Sequence, residues 1–106
     1  MKTYDLYGFK TDSLMDAKFS VEKALRIHLC AHENLNAGDY FRLDNKDGEN
    51  FILKKNFDPY EEEVIEDDFQ DYTVLFYVNR TVREGEIENM LIASIPGIQL
   101  LRRKKL

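Results

Sequence analysis

Residues 73–78, TVLFYV, form the most continuous apolar run in the chain. The run is far shorter than the ~20 residues of a membrane-spanning helix. It has the length and β-branched, aromatic character of a strand covered on both faces. Such a strand cannot stand alone. The remaining sequence must supply partner strands on its edges and cover above and below, and the other periodic segments have to meet that demand.

Residues 2–9, KTYDLYGF, are rich in aromatics and read as a first strand. A helix over 13–26 comes next. Ser13 and Asp16 resemble a capping box, and Leu14, Ala17, Val21, Ala24 and Leu25 mark one face. Segment 27–34 has two readings. Helix continuation to Leu35 would place His28 and His32 on the face of Val21. Alternation of Ile27, Leu29 and Ala31 with His28, Cys30 and His32, and the turn signal NAG at 36–38, favour a strand. DYFRL (39–43) and NFILKKNF (50–57) flank Asp47-Gly48, a hairpin signal. Beyond the central run, Thr81 and Glu84 fit a capping box for a short helix with Val82, Ile87, Met90 and Leu91 on its buried side, ended by Pro96-Gly97. IQLL (98–101) is a last strand, and RRKK (102–105) reads as a basic tail that either contacts phosphate or, the favoured reading, keeps that strand soluble and protects a sheet edge. The order is β-α-β-β-β-β-α-β. It predicts one α+β domain over 1–106, with a mixed sheet of about six strands and two helices. Each helix spaces its flanking strands as a crossover would, which pairs them in parallel.

Several chemistries fit poorly. His28, Cys30, His32 and Glu33 suggest zinc, but on a strand the histidines lie ~13 Å apart, and no second cluster supplies further ligands. Asp44, Asn45, Asp47, Gly48 and Glu49 suggest a calcium loop, yet placing Gly48 sixth puts Leu43 where the first acid is required. Ser13, Ser20 and Ser94 lie in no nucleophile elbow, and no glycine-rich phosphate loop occurs among five scattered glycines. No catalytic residue, metal or cofactor is therefore expected. The single cysteine, Cys30, favours a reducing compartment. No apolar h-region follows Lys2, so a cytoplasmic location is expected, and the sequon Asn79-Arg-Thr81 is read as chance.

Charge is the most distinctive property. The net charge is −5, but residues 58–71 hold eight of the twenty acids and no base, while the rest carries twelve acids against fifteen bases, a net +3. A net-acidic domain is poorly suited to bind nucleic acid directly. The stretch FDPYEEEVIEDDFQDY, 57–72, also threads large apolar groups between its acids. It is long for a strand connection. Phe57 and Tyr72 are expected in the core at the flanking strand ends. Tyr60 and Phe69 are expected as exposed anchors, with Glu61, Glu62, Glu63, Glu66, Asp67, Asp68 and Asp71 facing a basic partner. A plain solvated loop is the competing reading.

AGDYFRL (37–43), GENFILKKNFD (48–58), the acidic patch, YTVLFYVN (72–79) and IPGIQLLRRKKL (95–106) together resemble small bacterial immunity proteins, most of all those paired with contact-dependent growth inhibition toxins. The resemblance implies a cytoplasmic, non-catalytic protein that binds and neutralises the toxic domain of a cognate effector. Such toxins are often nucleases, whose clefts are basic because they hold phosphate. The alternatives are an acidic regulatory or adaptor module for another basic protein, and a small ligand-binding domain with a pocket between sheet and helices.

Overall fold

The computed structural model of the chain describes residues 1–34 and 38–106. Six strands and two helices occur in the expected order: β1 Thr3–Phe9, α1 Leu14–Leu25, β2 Cys30–Asn34, β3 Gly38–Asp44, β4 Asn50–Lys55, β5 Val74–Thr81, α2 Glu84–Ser94 and β6 Gln99–Lys105. The radius of gyration is 13.0 Å, the value for one compact domain of this length.

Every strand pairing is antiparallel, and the spatial order is β2-β3-β4-β5-β1-β6. The sheet is therefore not mixed. The crossovers do connect strands of the same direction, as expected. However, β1 inserts between β5 and β6, and three strands separate β1 from β2. A helical crossover fixes direction but not adjacency. Strand β1, with Leu6, Tyr7 and Phe9 almost wholly buried, takes the slot where both its edges are paired.

Both helices lie on one face. Ala17 and Val21 of α1 and Ile87 and Leu91 of α2 pack into a core with Tyr7, Phe9, Phe41, Phe51, Leu53, Val74, Phe76 and Val78. Phe51 stacks on Phe76 with centroids 5.9 Å apart. Ser13 caps α1, its hydroxyl accepting from the Asp16 N–H at 3.1 Å. The helix stops at Arg26, which adopts the left-handed conformation at φ 55°. The Glu22 carboxylate then accepts from the Leu29 N–H at 2.8 Å and lies 3.3 Å from His28 Nδ1. Ile27, His28 and Leu29 thus form a connection, and the strand expected over 27–34 begins only at Cys30. The NAG turn lies outside the described residues, except for Gly38, which begins β3. The Asp47-Gly48 hairpin forms as expected, with Gly48 at φ 96°.

Two further expectations change. Thr81 does not cap α2. Its hydroxyl donates to Glu49 at 2.7 Å and accepts from the Arg83 N–H at 3.1 Å, ahead of the first helical residue, while Glu84 accepts from the Thr3 hydroxyl at 2.7 Å. Helix α2 starts at Glu84, leaving Val82 outside it and 62% exposed. RRKK is not a tail but the body of β6. Arg103 forms a bidentate pair with the buried Asp5 at 2.9 and 2.8 Å and reaches Glu88 of α2 at 2.9 Å.

The opposite sheet face has a different cover. Leu6 and Leu75 point away from the helices, yet they are 1% and 0% exposed. The ring of Tyr72 lies over Gly8 there, where a Cβ would meet the ring at 2.5 Å and Leu101 at 2.9 Å. The central strand is covered on both faces, and the acidic loop forms part of the second layer. Gly8→Ala forces Tyr72 off this seat. Overpacking of this kind costs about 1–3 kcal/mol, so urea denaturation should show a loss of that size. An unchanged midpoint would mean that the ring moves aside freely.

Candidate functional site

The segment between β4 and β5 has a polar frame. Asn56, just after β4, is 5% exposed. Its Nδ2 donates to the carbonyl oxygens of Phe69 at 3.0 Å and Tyr72 at 3.1 Å, and its Oδ1 accepts from the Glu66 N–H at 2.8 Å. Its own N–H donates to the Thr73 carbonyl at 2.8 Å. One amide therefore satisfies three separated points of the loop backbone. A second brace lies at the loop's start. Asp58 and Glu63 exchange backbone hydrogen bonds across a tight turn, and the Asp58 carboxylate accepts from the Tyr60 and Glu61 N–H groups. A short helical turn spans Asp67–Phe69.

This frame sorts the acids into two groups. Glu66 points inward. It accepts from the Tyr77 hydroxyl at 2.6 Å and from the Arg102 guanidinium at 3.0 and 3.3 Å. Burial alone would raise its carboxyl pKa, but the bonds from Arg102 and Tyr77 outweigh that and hold it below its ordinary value of 4.5. Burial, and then the bond to Glu66, pushes the Tyr77 phenol upward. Glu66 is thus a latch between loop and sheet, not one of the acids presented outward. Glu61, Glu62, Glu63, Asp67, Asp68 and Asp71 are exposed, and none of their carboxylates forms an ion pair among the described residues.

The aromatics divide as well. Tyr60 stands 69% exposed, as expected for an anchor. Phe69 is only half-buried rather than exposed, and its carbonyl is tied to Asn56. Tyr72 lies inward, half-buried on Gly8, with its hydroxyl 2.7 Å from Gln99 Oε1 and Lys10 Nζ 4.7 Å from its ring centroid. Phe57 does not enter the core but is 45% exposed. Its strand ends at Lys55, and the buried position beyond that end is taken by Asn56.

Asn56, Tyr77 and Arg102 escaped the sequence reading. An asparagine at the mouth of a long loop was the available signal for the first. Arginine inside a strand, opposite a run of acids, was the signal for the last.

Other polar residues outside the loop have local partners, with one exception. Glu49 is 3% exposed and accepts from Thr81, Asn45 and Arg83. His32 stacks on Tyr40 with centroids 5.3 Å apart. The hydroxyl of Tyr7 is buried and has no hydrogen-bond partner among the described residues, and burial pushes its pKa well upward. Among the described residues no group of three or more His, Cys, Asp or Glu could hold a metal ion, and no helix is long and apolar enough to cross a membrane. No known family model matches the chain, and no curated protein is significantly similar to it.

Asn56→Ala strands the Glu66 N–H and the Tyr72 carbonyl, while the Phe69 carbonyl keeps its bond from the Tyr72 N–H. It should cost about 1–3 kcal/mol and raise amide hydrogen exchange in 57–72 above that of the strands. Uniform protection across both would remove Asn56 as the organiser. Glu66 gives a pH test. Its folded pKa is lowered, so the stability it contributes is full above about 4.5 and is lost as pH falls through the lower folded value. Urea midpoints should therefore fall more steeply with acid in the native chain than in Glu66→Gln. Parallel curves would show that the latch carries no charge-dependent stability.

Proposed function

We propose that the chain is a non-enzymatic immunity protein of the cytoplasm, which neutralises a cognate toxin domain by covering its basic, substrate-binding surface. The observation that carries this reading is the outward set of six carboxylates without ion pairs among the described residues, together with Tyr60, on a loop braced by Asn56. A solvated connection has no need of such bracing. A braced surface has already lost part of the conformational freedom that binding would otherwise cost. Nuclease toxins fit the chemistry, since a cleft that holds phosphate presents Lys and Arg. The resemblance of the strand and turn motifs to immunity proteins of contact-dependent growth inhibition systems supports the same partner class.

Exposed ion pairs contribute only about 0–1 kcal/mol each. The carboxylates therefore set association rate and partner choice, and apolar contacts hold the complex. Tyr60 serves as an anchor. Glu66 stays with Arg102, outside the interface.

Affinity capture from the native strain, washed at low and high salt, tests the reading. A basic toxin domain retained at high salt, whose toxicity this protein relieves, is the expected outcome. Retention of a housekeeping basic protein alone, lost at high salt, would replace the toxin with a regulatory target. With the partner in hand, changing Glu61, Glu62 and Glu63 to Gln should slow association and flatten its salt dependence, whereas Tyr60→Ala should mainly speed dissociation. Salt dependence left untouched by the triple change would place the acids outside the interface.

A further inference from the structure

An open cleft adjoins the acidic turn. Leu14 at the start of α1, Asp39 on β3, Lys55 at the end of β4, and Phe57 and Pro59 enclose about 280 Å3. Phe57 is 45% exposed at this site. Pro59 runs directly into Tyr60, Glu61, Glu62 and Glu63, and the paired backbone of Asp58 and Glu63 closes that turn. One short braced element therefore carries an apolar wall of the cleft and the three carboxylates.

We propose that the cleft is the socket for one large apolar side chain of a basic partner segment, a Phe or Leu flanked by Lys or Arg. This rests on the reading of the loop as a protein-binding surface and adds the partner's local chemistry. Charge complementarity selects the occupant. Asp39 and Lys55 contribute one charge of each sign, and the turn that continues from Pro59 adds the net negative charge of Glu61, Glu62 and Glu63. A second copy docking through the same face would set carboxylate against carboxylate. A neutral apolar ligand would fill the cleft but gain nothing from the glutamates. A basic segment with an apolar centre uses both, with the anchor desolvated in the cleft and the cations at the exposed rim.

The test uses the full chain, labelled with nitrogen-15, and three synthetic pentapeptides: a Phe flanked by Lys and Arg, the same peptide with Ala in place of Phe, and a Phe flanked by Glu. The first should shift the amide resonances of Leu14, Asp39 and Phe57 together with those of Tyr60 to Glu63. The second should shift only the glutamates, and the third none. Phe57→Ala should weaken the first peptide about tenfold, to the level of the second, and Phe57→Leu should restore it. Phe57 is half-exposed, so both variants should keep the native spectrum elsewhere. If the Phe and Ala peptides bind equally and only at the glutamates, the socket is wrong and the acidic surface stands. Cleft shifts from the acidic peptide would overturn the basic occupant. If neither cationic peptide moves any amide of 57–72, the surface reading falls and the socket with it.

Discussion

The loop between β4 and β5 depends on the side chain of Asn56. An amide both donates and accepts, and here it meets two carbonyls and one N–H from residues far apart along the loop. An aspartate could not donate, and a serine could not span the same points. Because the amide is buried, these bonds replace hydration that the loop backbone has given up. Their effect is to orient the loop. With Phe69 and Tyr72 held at their carbonyls, Glu66 turns toward the sheet and its neighbours turn away.

The chain treats its acids in two ways. Three that face inward meet an arginine: Asp5 meets Arg103, Glu49 meets Arg83, and Glu66 meets Arg102, while Glu22 meets Lys18 and His28. A buried carboxylate without such a partner would be costly, and one with it specifies position more than it adds stability. Arg102 and Arg103 thus join β6 to the loop on one face and to β1 and α2 on the other. The outward acids of the loop, Glu61, Glu62, Glu63, Asp67, Asp68 and Asp71, have no ion-pair partner among the described residues. The local excess of negative charge at 58–71 therefore reaches the surface with little compensation, on an element whose shape is already set.

Much of the fold was legible because it rests on local patterns. Alternation, helical spacing, Asp47-Gly48 and Pro96-Gly97 are read from neighbours in sequence, and they located all eight elements. What failed was decided at a distance. Thr81 has the spacing of a helix cap, but it ends β5, where its hydroxyl donates to Glu49 and accepts from the Arg83 N–H short of the helix. The crossovers implied parallel neighbours, but adjacency was settled by how deeply β1 is buried. Within the acidic stretch, Glu63 and Glu66 are identical residues with opposite roles. The outward position of Tyr60 and most of the acids was readable from composition. The inward latch was not, because its partners Tyr77 and Arg102 belong to strands outside the loop.

The position of β1 between β5 and β6 carries a cost in time. Its neighbours come late: Leu75 lies opposite Gly8, and Leu100 lies opposite Tyr7. During synthesis β1 waits with both edges open and its large apolar side chains unburied until β5 and β6 have been made. Long-range pairing of this kind gives slow, concerted folding, and partly made chains are prone to aggregate. Loss of β6 would leave a central strand with an open edge, so damage at the far end of the chain is felt at its beginning.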